Sequence, residues 1–155
     1  MVAIVNLYGD EWDDERERPG WRWKRAAVGK RIGATKMGAS LYELEPGQKT
    51  FPYHYEYGSE EWLICVGGAP TLRTPDGERR LEPGDVVSFP EGPEGAHQVI
   101  NATDEPARVL ILSTGGDPGV AVYPDSDKIG VFPGTREDSL LVLRSSEVDY
   151  FEGED

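Results

Sequence analysis

The 155-residue sequence is poor in several residue types, and each shortage narrows the class of protein. Its single cysteine, Cys65, excludes an internal disulfide and is expected to pack as a small hydrophobic residue. Sixteen basic residues against 29 acidic ones leave a formal net charge of −13, so no nucleic-acid partner is expected. The chain has no run of about 18 apolar residues and no basic, apolar leader, so we expect a cytoplasmic protein with no membrane contact.

Long helical patterns are also lacking, because the chain is rich in turn-forming residues. Its 19 glycines and 12 prolines make up a fifth of the sequence. From residue 38 onward, short β-rich segments alternate with turn signals, as in EEWLICVGG, VVSFPEGPEG and ARVLILSTGGDPG. Residues 71–74 and 78–81 flank Pro75-Asp76-Gly77 and are predicted to pair as a hairpin. The sequence therefore predicts one all-β domain, an antiparallel sandwich or barrel.

Residues 1–37 precede this domain as an arm whose charge changes sign along its length. Residues 10–18, DEWDDERER, are acidic overall, whereas residues 21–36 contain six basic side chains and no acidic one. A solvated arm lying over the domain is the favoured interpretation, and pairing of the basic half with an acidic surface of the same chain or a second copy is the alternative. Trp12, Trp21 and Trp23 are predicted to anchor the arm. Residues 140–155 are expected to form a peripheral segment with an acidic tail.

The two histidines, His54 and His97, are the main candidates for chemistry. Side chains alternate along a strand, so His54 and Glu56 are predicted to share one face of their segment. The same alternation puts Glu61 on one face of the next segment, where it joins the first pair if that face points inward. His97 lies in a distant segment and is a further candidate ligand.

These residues resemble the two sequence motifs of the cupin superfamily. The first motif, GxxxxxHxHxxxxExxxxxxG, is similar to the pattern formed by Gly47, His54, Glu56, Glu61 and Gly68, with one additional residue after Gly47. Glu56 stands where the motif has its second histidine. The second motif, GxxxxxPxGxxHxxxN, resembles Gly84, Pro90, Gly92, His97 and Asn101, with two additional residues before the histidine. The resemblance covers about residues 38–115 and indicates a small bacterial cupin.

The resemblance implies a cupin-type antiparallel β-barrel, a jelly-roll-like double sheet, over residues 38–139, often assembled as a homodimer. It also implies one divalent metal ion inside the barrel (Fe, Mn, Zn or Ni), with His54, Glu61 and His97 as ligands and Glu56 as the fourth. A carboxylate in place of an imidazole moves such a site towards harder ions. The alternative is a barrel that has lost its metal, with Glu56 hydrogen-bonded to a histidine or a tyrosine.

Two classes of function follow from this resemblance. In the first, the protein is a metal-dependent oxidoreductase or isomerase that acts on a small polar molecule, with dioxygenase-type or isomerase-type chemistry. Glu56 and Glu61 are then the candidate catalytic residues for proton transfer. In the second, the protein is a non-catalytic module that binds a small molecule or uses the metal only for its structure. The enzyme is slightly favoured, and the sequence does not identify the substrate.

Overall fold

The computed structural model describes residues 2–154, and within them antiparallel strands are the dominant element. The strands are β1 Asp14–Arg16, β2 Trp23–Ala26, β3 Gly38–Leu44, β4 Tyr55–Tyr57, β5 Glu61–Gly67, β6 Thr71–Thr74, β7 Gly77–Arg80, β8 Val86–Phe89, β9 Gln98–Ile100, β10 Ala107–Ser113, β11 Gly119–Tyr123, β12 Lys128–Phe132 and β13 Leu140–Leu143. One helical turn, α1, spans Val28–Arg31, and 3-10 turns span Pro93–Gly95, Pro124–Ser126 and Arg144–Ser146. The all-β fold class predicted from the sequence is confirmed.

The strands form three antiparallel sheets. Their orders are β1-β2-β3-β10-β5-β8, β13-β12-β11-β4 and β7-β6-β9. The predicted hairpin is present as β6 and β7, in which Thr74 is opposite Gly77 and the second strand begins one residue earlier than expected. The peripheral segment predicted for residues 140–155 includes β13, which pairs with β12 and forms one edge of the four-stranded sheet.

The main core lies between the six-stranded sheet and the three-stranded sheet. Alternate side chains of the strands point into it, so the apolar positions of each strand share one face. Its buried members are Tyr42, Leu44, Leu63, Cys65, Leu72, Leu81, Phe89, Val99 and Val109. The fully buried Asn101 closes this core, because its side-chain NH₂ donates to the carbonyls of Leu44 at 3.0 Å and Glu105 at 2.8 Å.

The arm is part of the six-stranded sheet rather than a detached segment. Strand β1 pairs with β2, and β2 pairs with β3. Within residues 2–154, three ion pairs join the acidic and basic halves of the arm: Arg25 with Asp14, and Arg31 with both Asp13 at 2.9 Å and Glu11 at 3.6 Å. Lys24 of the basic half also pairs with Glu43 of β3 at 3.8 Å. The basic half therefore pairs with acidic side chains of the same chain, which corresponds to the alternative interpretation of the charge switch.

The indole of Trp23 anchors β2 from the core side. Its Nε1 donates to the carbonyl of Thr50 at 3.0 Å, and its ring meets Tyr42 edge-on with centroids 5.3 Å apart. On the outer face of the same sheet, Leu7 and Trp12 pack against a second buried cluster that includes Leu110. Both faces of the sheet are thus covered at the arm end by aromatic and aliphatic side chains.

Arg108 of β10 connects the first residues of the chain to this outer face. Its guanidinium donates to Glu43 at 2.7 Å, to the carbonyl of Gly9 at 2.9 Å and to Asp10 at 2.6 Å. It also lies 5.1 Å from the centre of the Trp12 ring. One side chain therefore holds a backbone segment, a carboxylate and an aromatic ring together.

We expect Arg108→Ala to lower the free energy of unfolding by about 2 kcal/mol. Hydrogen bonds to charged groups contribute about 1.5 to 3 kcal/mol, and the guanidinium of Arg108 is partly exposed to solvent, which places the expected loss in the lower part of that range. Cleavage of the first 12 residues by a protease should become faster in the same variant. Arg79→Ala is the matched control, since Arg79 is exposed and has no ion pair within residues 2–154. Equal cleavage rates for the two variants would contradict this role of Arg108.

The rest of the outer surface carries exposed apolar side chains, among them Trp62 and Val86 at the far edge of the six-stranded sheet and Tyr150 and Phe151 near the end of the chain. Homodimer formation stays a prediction. Within residues 2–154, the structure has no helix with the length and apolar character needed to cross a membrane.

Candidate metal centre

His54 and His97 lie side by side although they are 43 positions apart in the sequence. Their backbones form an isolated antiparallel bridge with two hydrogen bonds, from His54 N to His97 O at 3.2 Å and from His97 N to His54 O at 2.8 Å. Residues that are directly opposite in an antiparallel pair project their side chains to the same side. The two imidazole rings accordingly lie 4.7 Å apart between centroids.

Each imidazole is oriented by a backbone carbonyl two residues earlier in the chain. Nδ1 of His54 is 2.8 Å from the carbonyl oxygen of Pro52, and Nδ1 of His97 is 2.9 Å from that of Gly95. Because a carbonyl oxygen can only accept, Nδ1 carries the proton and Nε2 keeps its lone pair. Both rings are thus held in the tautomer that a metal-ligating histidine needs.

Glu61 completes a cluster of three potential ligands. It is the first residue of β5, and its Oε2 is 3.4 Å from Nε2 of His97. One ligand atom from each of His54, Glu61 and His97 lies within 4.8 Å of the other two. The structure therefore brings together three of the four residues that the sequence analysis singled out.

Glu56 lies at the edge of this cluster. Its Oε1 is 3.9 Å from Nε2 of His54, and its side chain is 30% exposed, against 14% for Glu61. The three-residue cluster forms without it. Its assignment as a fourth ligand stays a prediction, and its position between the cluster and the open cavity also suits a group that exchanges a proton.

Aromatic rings restrain both histidines. The ring of Phe89 stacks on His97 with centroids 3.7 Å apart and planes 6° apart. Tyr123 of β11 stacks on His54 at 5.9 Å and 26°. These contacts leave little freedom for either imidazole to rotate away from the cluster.

Burial shifts the protonation equilibria of the cluster away from the charged forms. It lowers the pKa of His97 to about 3, with the neighbouring His54 adding to the effect, and it lowers the pKa of His54 as well. Burial also raises the pKa of Glu61 to about 8, and the nearby Glu56 carboxylate adds to that rise. At neutral pH the protein alone therefore holds two neutral imidazoles beside a protonated Glu61.

Burial raises the pKa of Glu56 too. The hydroxyl of Ser59, which is buried and has no hydrogen bond of normal length within residues 2–154, acts in the opposite direction with a smaller effect. Two neighbouring buried carboxyl groups repel each other when both are ionised, and a divalent cation relieves that repulsion. Two imidazole nitrogens and a carboxylate form a donor set that fits a divalent transition metal ion.

A cavity of about 280 Å³ opens beside the cluster. Its walls come from β3, β10, β11, β12 and the segment before His54, and they include Ser40, Tyr42, Phe51, Ser113, Tyr123 and Phe132. These residues are not among the site residues predicted from the sequence. Alternation along β3, which puts Ser40 and Tyr42 on the same face as the buried Leu44, is the signal that could have found two of them.

Gly95 controls the position of His97 through a close backbone approach. A Cβ atom at this position would lie 1.8 Å from the carbonyl oxygen of Pro90, so a side chain does not fit without movement of the backbone. We expect Gly95→Ala to lower the free energy of unfolding by about 2 to 4 kcal/mol and to weaken metal binding by at least about tenfold. Thermal unfolding and titration calorimetry measure the two effects.

Gly67→Ala is the control for this substitution, since no atom lies within 4 Å of a Cβ built at Gly67 and its φ is not positive. The control should retain its metal affinity. A Gly95→Ala protein with the melting temperature and metal affinity of the unsubstituted protein would show that the Pro90 contact does not position His97.

The chain is similar to a known protein family and to several solved structures. Residues 40–113 match the family described as Cupin domain. A structure described as a sugar phosphate isomerase from a cupin superfamily, from Silicibacter pomeroyi, is 27% identical, with a TM-score of 0.79 and coverage of 93% of this chain and 94% of that chain. No curated protein sequence matches the chain.

Two further structures share the fold. One is a protein from Acidithiobacillus ferrooxidans for which a sugar phosphate isomerase activity is suggested. It is 27% identical, with a TM-score of 0.76, and the match covers 84% of this chain and 81% of that chain. The other is a polyketide cyclase from Streptomyces resistomycificus, 20% identical, with a TM-score of 0.59 and coverage of 73% and 79%. The second likeness concerns the fold alone.

Proposed function

The chain belongs to the cupin superfamily, and from this premise we propose that it is a metal-dependent enzyme that catalyses an isomerase-type proton transfer on a small hydroxylated carbonyl compound. The observation that carries the proposal is the cluster of His54, Glu61 and His97 beside a cavity that also contains a carboxyl group outside the cluster. The names of the two most similar structures described above support an isomerase, although those names concern other proteins.

In this proposal, Nε2 of His54, Nε2 of His97 and a carboxylate oxygen of Glu61 hold the metal ion. Fe, Mn, Zn and Ni all accept such a mixed nitrogen and oxygen donor set. When bound, the ion would supply Lewis-acid polarisation of a substrate oxygen. The protein keeps both imidazoles neutral and correctly oriented through the carbonyls of Pro52 and Gly95.

Glu56 is the proposed proton carrier. Its Oε1 would accept the proton from the hydroxyl-bearing carbon next to the substrate carbonyl and deliver it to the carbonyl carbon. The proton of that hydroxyl group would pass to the former carbonyl oxygen, so that one C–H and one O–H bond break, one of each forms, and no proton is lost or gained overall. A partly exposed carboxyl group is suited to this exchange, because burial raises the pKa of Glu56 and so makes its carboxylate a stronger base than an ordinary glutamate.

A dioxygenase-type reaction is the second candidate, and one specific observation favours it. Two histidines and one carboxylate form the ligand set of many non-haem iron oxygenases. To test it, the protein is loaded with Fe(II) under anaerobic conditions and then exposed to air in the presence of diols, catechols or keto acids. Oxygen uptake would favour this second candidate over the isomerase.

Exchange of substrate hydrogen for solvent deuterium tests the isomerase proposal directly. Protein loaded with Mn, Fe, Zn or Ni is mixed in heavy water with aldoses, ketoses, hydroxy ketones and sugar phosphates, and NMR follows both deuterium incorporation and product. We expect metal-dependent exchange at the carbon next to the carbonyl. Glu56→Gln should slow it by about 100-fold or more, because general acid–base catalysis contributes about 10² to 10⁴ in rate.

Glu60→Gln is the matched control, since Glu60 is exposed and its carboxylate accepts a hydrogen bond from Trp62 instead of facing the cluster. The control should turn over at the unsubstituted rate. Metal-loaded protein that neither incorporates deuterium nor forms an isomerised product with any compound in the panel would contradict the isomerase. Thermal stabilisation by a compound without turnover would favour the non-catalytic binding module.

A further inference from the structure

The chemical character of the cavity wall limits what it can bind. Four residues that carry hydroxyl groups line it, Ser40, Tyr42, Ser113 and Tyr123, together with Phe51 and Phe132. The hydroxyl group of Tyr42 also makes side-chain hydrogen bonds with Ser40 and Arg25. The charged side chains of the wall are Glu56 and Glu61, and no lysine or arginine of the described chain lines the cavity. Hydroxyl groups and aromatic faces recognise uncharged molecules that carry both hydroxyl groups and C–H surfaces.

The charge of the site leaves no surplus positive charge for an anion. Two ionised carboxylates, Glu56 and Glu61, balance the charge of one divalent ion. A phosphate ester adds a charge of about −1.5 to −2 at pH 7, and proteins normally meet it with arginine, lysine or the N-terminus of a helix. The chain as a whole has a formal net charge of −13, so the long-range field also disfavours an anionic ligand.

Cationic side chains contact residues of the wall from outside the cavity, and two of them also interact with another part of the protein. Arg16 lies over the rings of Trp23 and Phe51, 4.7 and 5.7 Å from their centres. Arg25 lies opposite Tyr42 in the pairing of β2 with β3, and its guanidinium makes two hydrogen bonds to Asp14, one of them from Nε at 3.0 Å. Nζ of Lys128 lies over the ring of Tyr123, 5.5 Å from its centre. None of these side chains lines the cavity.

The size of the cavity points to a small ligand. Its volume of about 280 Å³ is at the lower end of the range of about 300 to 1,000 Å³ that is usual for sites of drug-sized ligands. A molecule with a single small ring, or a short open-chain molecule, fits this volume. Its hydroxyl groups would form hydrogen bonds with the hydroxyl-bearing residues on three strands of the wall.

We propose that the cavity binds an uncharged polyhydroxylated carbonyl compound, an aldose or ketose without a phosphate group, and discriminates against the corresponding phosphate ester. This inference rests on the proposed function, since it names the substrate class for the same site. It distinguishes the chain from the activity that is named for its structural relatives, which concerns sugar phosphates.

Calorimetric titration of the metal-loaded protein with matched pairs tests the inference. The pairs are ribose with ribose 5-phosphate, glucose with glucose 6-phosphate and fructose with fructose 6-phosphate. We expect at least one neutral sugar to bind about tenfold or more tightly than its phosphate ester. Tyr42→Phe keeps the ring and removes one hydroxyl group, so it should weaken that sugar about three- to tenfold while the metal content stays unchanged.

A second variant introduces the missing cation. Phe132 is 37% exposed at the rim of the cavity, so Phe132→Lys adds a positive charge with little cost to folding. It should raise the affinity for the phosphate esters about fivefold or more relative to Phe132→Leu, which controls for loss of the ring.

Elemental analysis of the same samples separates failure of this inference from failure of the proposed function. A protein that binds no metal after loading would overturn the proposed function, and the substrate class with it. A metal-loaded protein that prefers the phosphate esters, or that binds none of the neutral sugars at millimolar concentration, would overturn the substrate class while leaving the metal centre intact. A Phe132→Lys variant with no gain for the esters would show that charge does not govern the selection.

Discussion

Glu61→Gln is expected to lower the affinity for a divalent metal ion by more than about 100-fold, since even the loss of a residue that only supports a metal ligand costs about 10 to 100-fold. The side chain of Glu61 reaches within 3.4 Å of Nε2 of His97, and glutamine has the same shape without the charge. Activity that depends on the metal should disappear with it. His97→Ala should have the same effect by removing a nitrogen ligand.

Elemental analysis of protein purified without a chelating resin, followed by titration with Mn, Fe, Zn and Ni, measures this effect. Glu60→Gln is an adjacent control with the same chemical change, and it should bind one ion per chain as the unsubstituted protein does. Alternation along the chain separates the two neighbours, because Glu60 is exposed whereas the side chain of Glu61 is 14% exposed. Equal metal content in Glu61→Gln and Glu60→Gln would exclude Glu61 as a ligand.

The metal-free protein is expected to lose stability as the pH rises above about 6.5. The pKa of Glu61 in the folded protein, about 8, is above its ordinary value of 4.5, so its contribution to stability is complete below pH 4.5 and is lost as the pH rises through 8. The contribution of His97 to stability depends on pH in the opposite direction. Its pKa of about 3 in the folded protein is below the ordinary value of 6.5, so this contribution is complete above pH 6.5 and is lost as the pH falls towards 3.

These two effects oppose each other between pH 4.5 and 6.5 and leave the loss from Glu61 unopposed between pH 6.5 and 8. With about 1.36 kcal/mol for each pKa unit, the free energy of unfolding should fall by about 2 kcal/mol over that interval. Urea unfolding of the chelated protein at a series of pH values measures the fall. Glu61→Gln should flatten the alkaline side of the profile, and so should a saturating divalent ion, because each removes the uncompensated carboxylate.

A chelated protein whose stability is constant from pH 6.5 to 8.5 would show that Glu61 is more hydrated than its position in the structure indicates. The acidic side of the profile checks the histidines separately. Stability should fall below pH 4.5 in both the unsubstituted protein and Glu61→Gln, because His54 and His97 are buried in the neutral form.

The candidate site was predictable where spacing and strand alternation act together. His54, Glu61 and His97 were identified from two motifs, and the structure brings them into one cluster. Glu56 could be placed near His54 by alternation, but its distance from the cluster depends on how β4 approaches β11, where Glu56 lies opposite Ala121. Local patterns do not fix such a long-range approach, because it depends on the packing of whole sheets.

The arm shows where local patterns are insufficient. Its charge switch is visible in the sequence, but its pairing with β3 depends on backbone hydrogen bonds and on the fit of Trp23 against Tyr42. The wall of the cavity was missed for a similar reason. Tyr42 and Tyr123 come from strands that are 81 positions apart, and neither belongs to a motif.

The sequence by itself determined that the chain is an all-β domain rich in turns, that its charge disfavours an anionic partner and that its two histidines and their neighbouring glutamates are the candidates for metal chemistry. These properties follow from composition, from spacing and from the two-residue period of strands, all of which are local. Only the tertiary structure decided that Nε2 of His97 lies beside Glu61, that Nε2 of His54 lies beside Glu56 and that residues with hydroxyl groups line the cavity. Each of these depends on contacts between residues that are distant in the chain, and the free energy of such contacts comes from burial and packing, which no local pattern encodes.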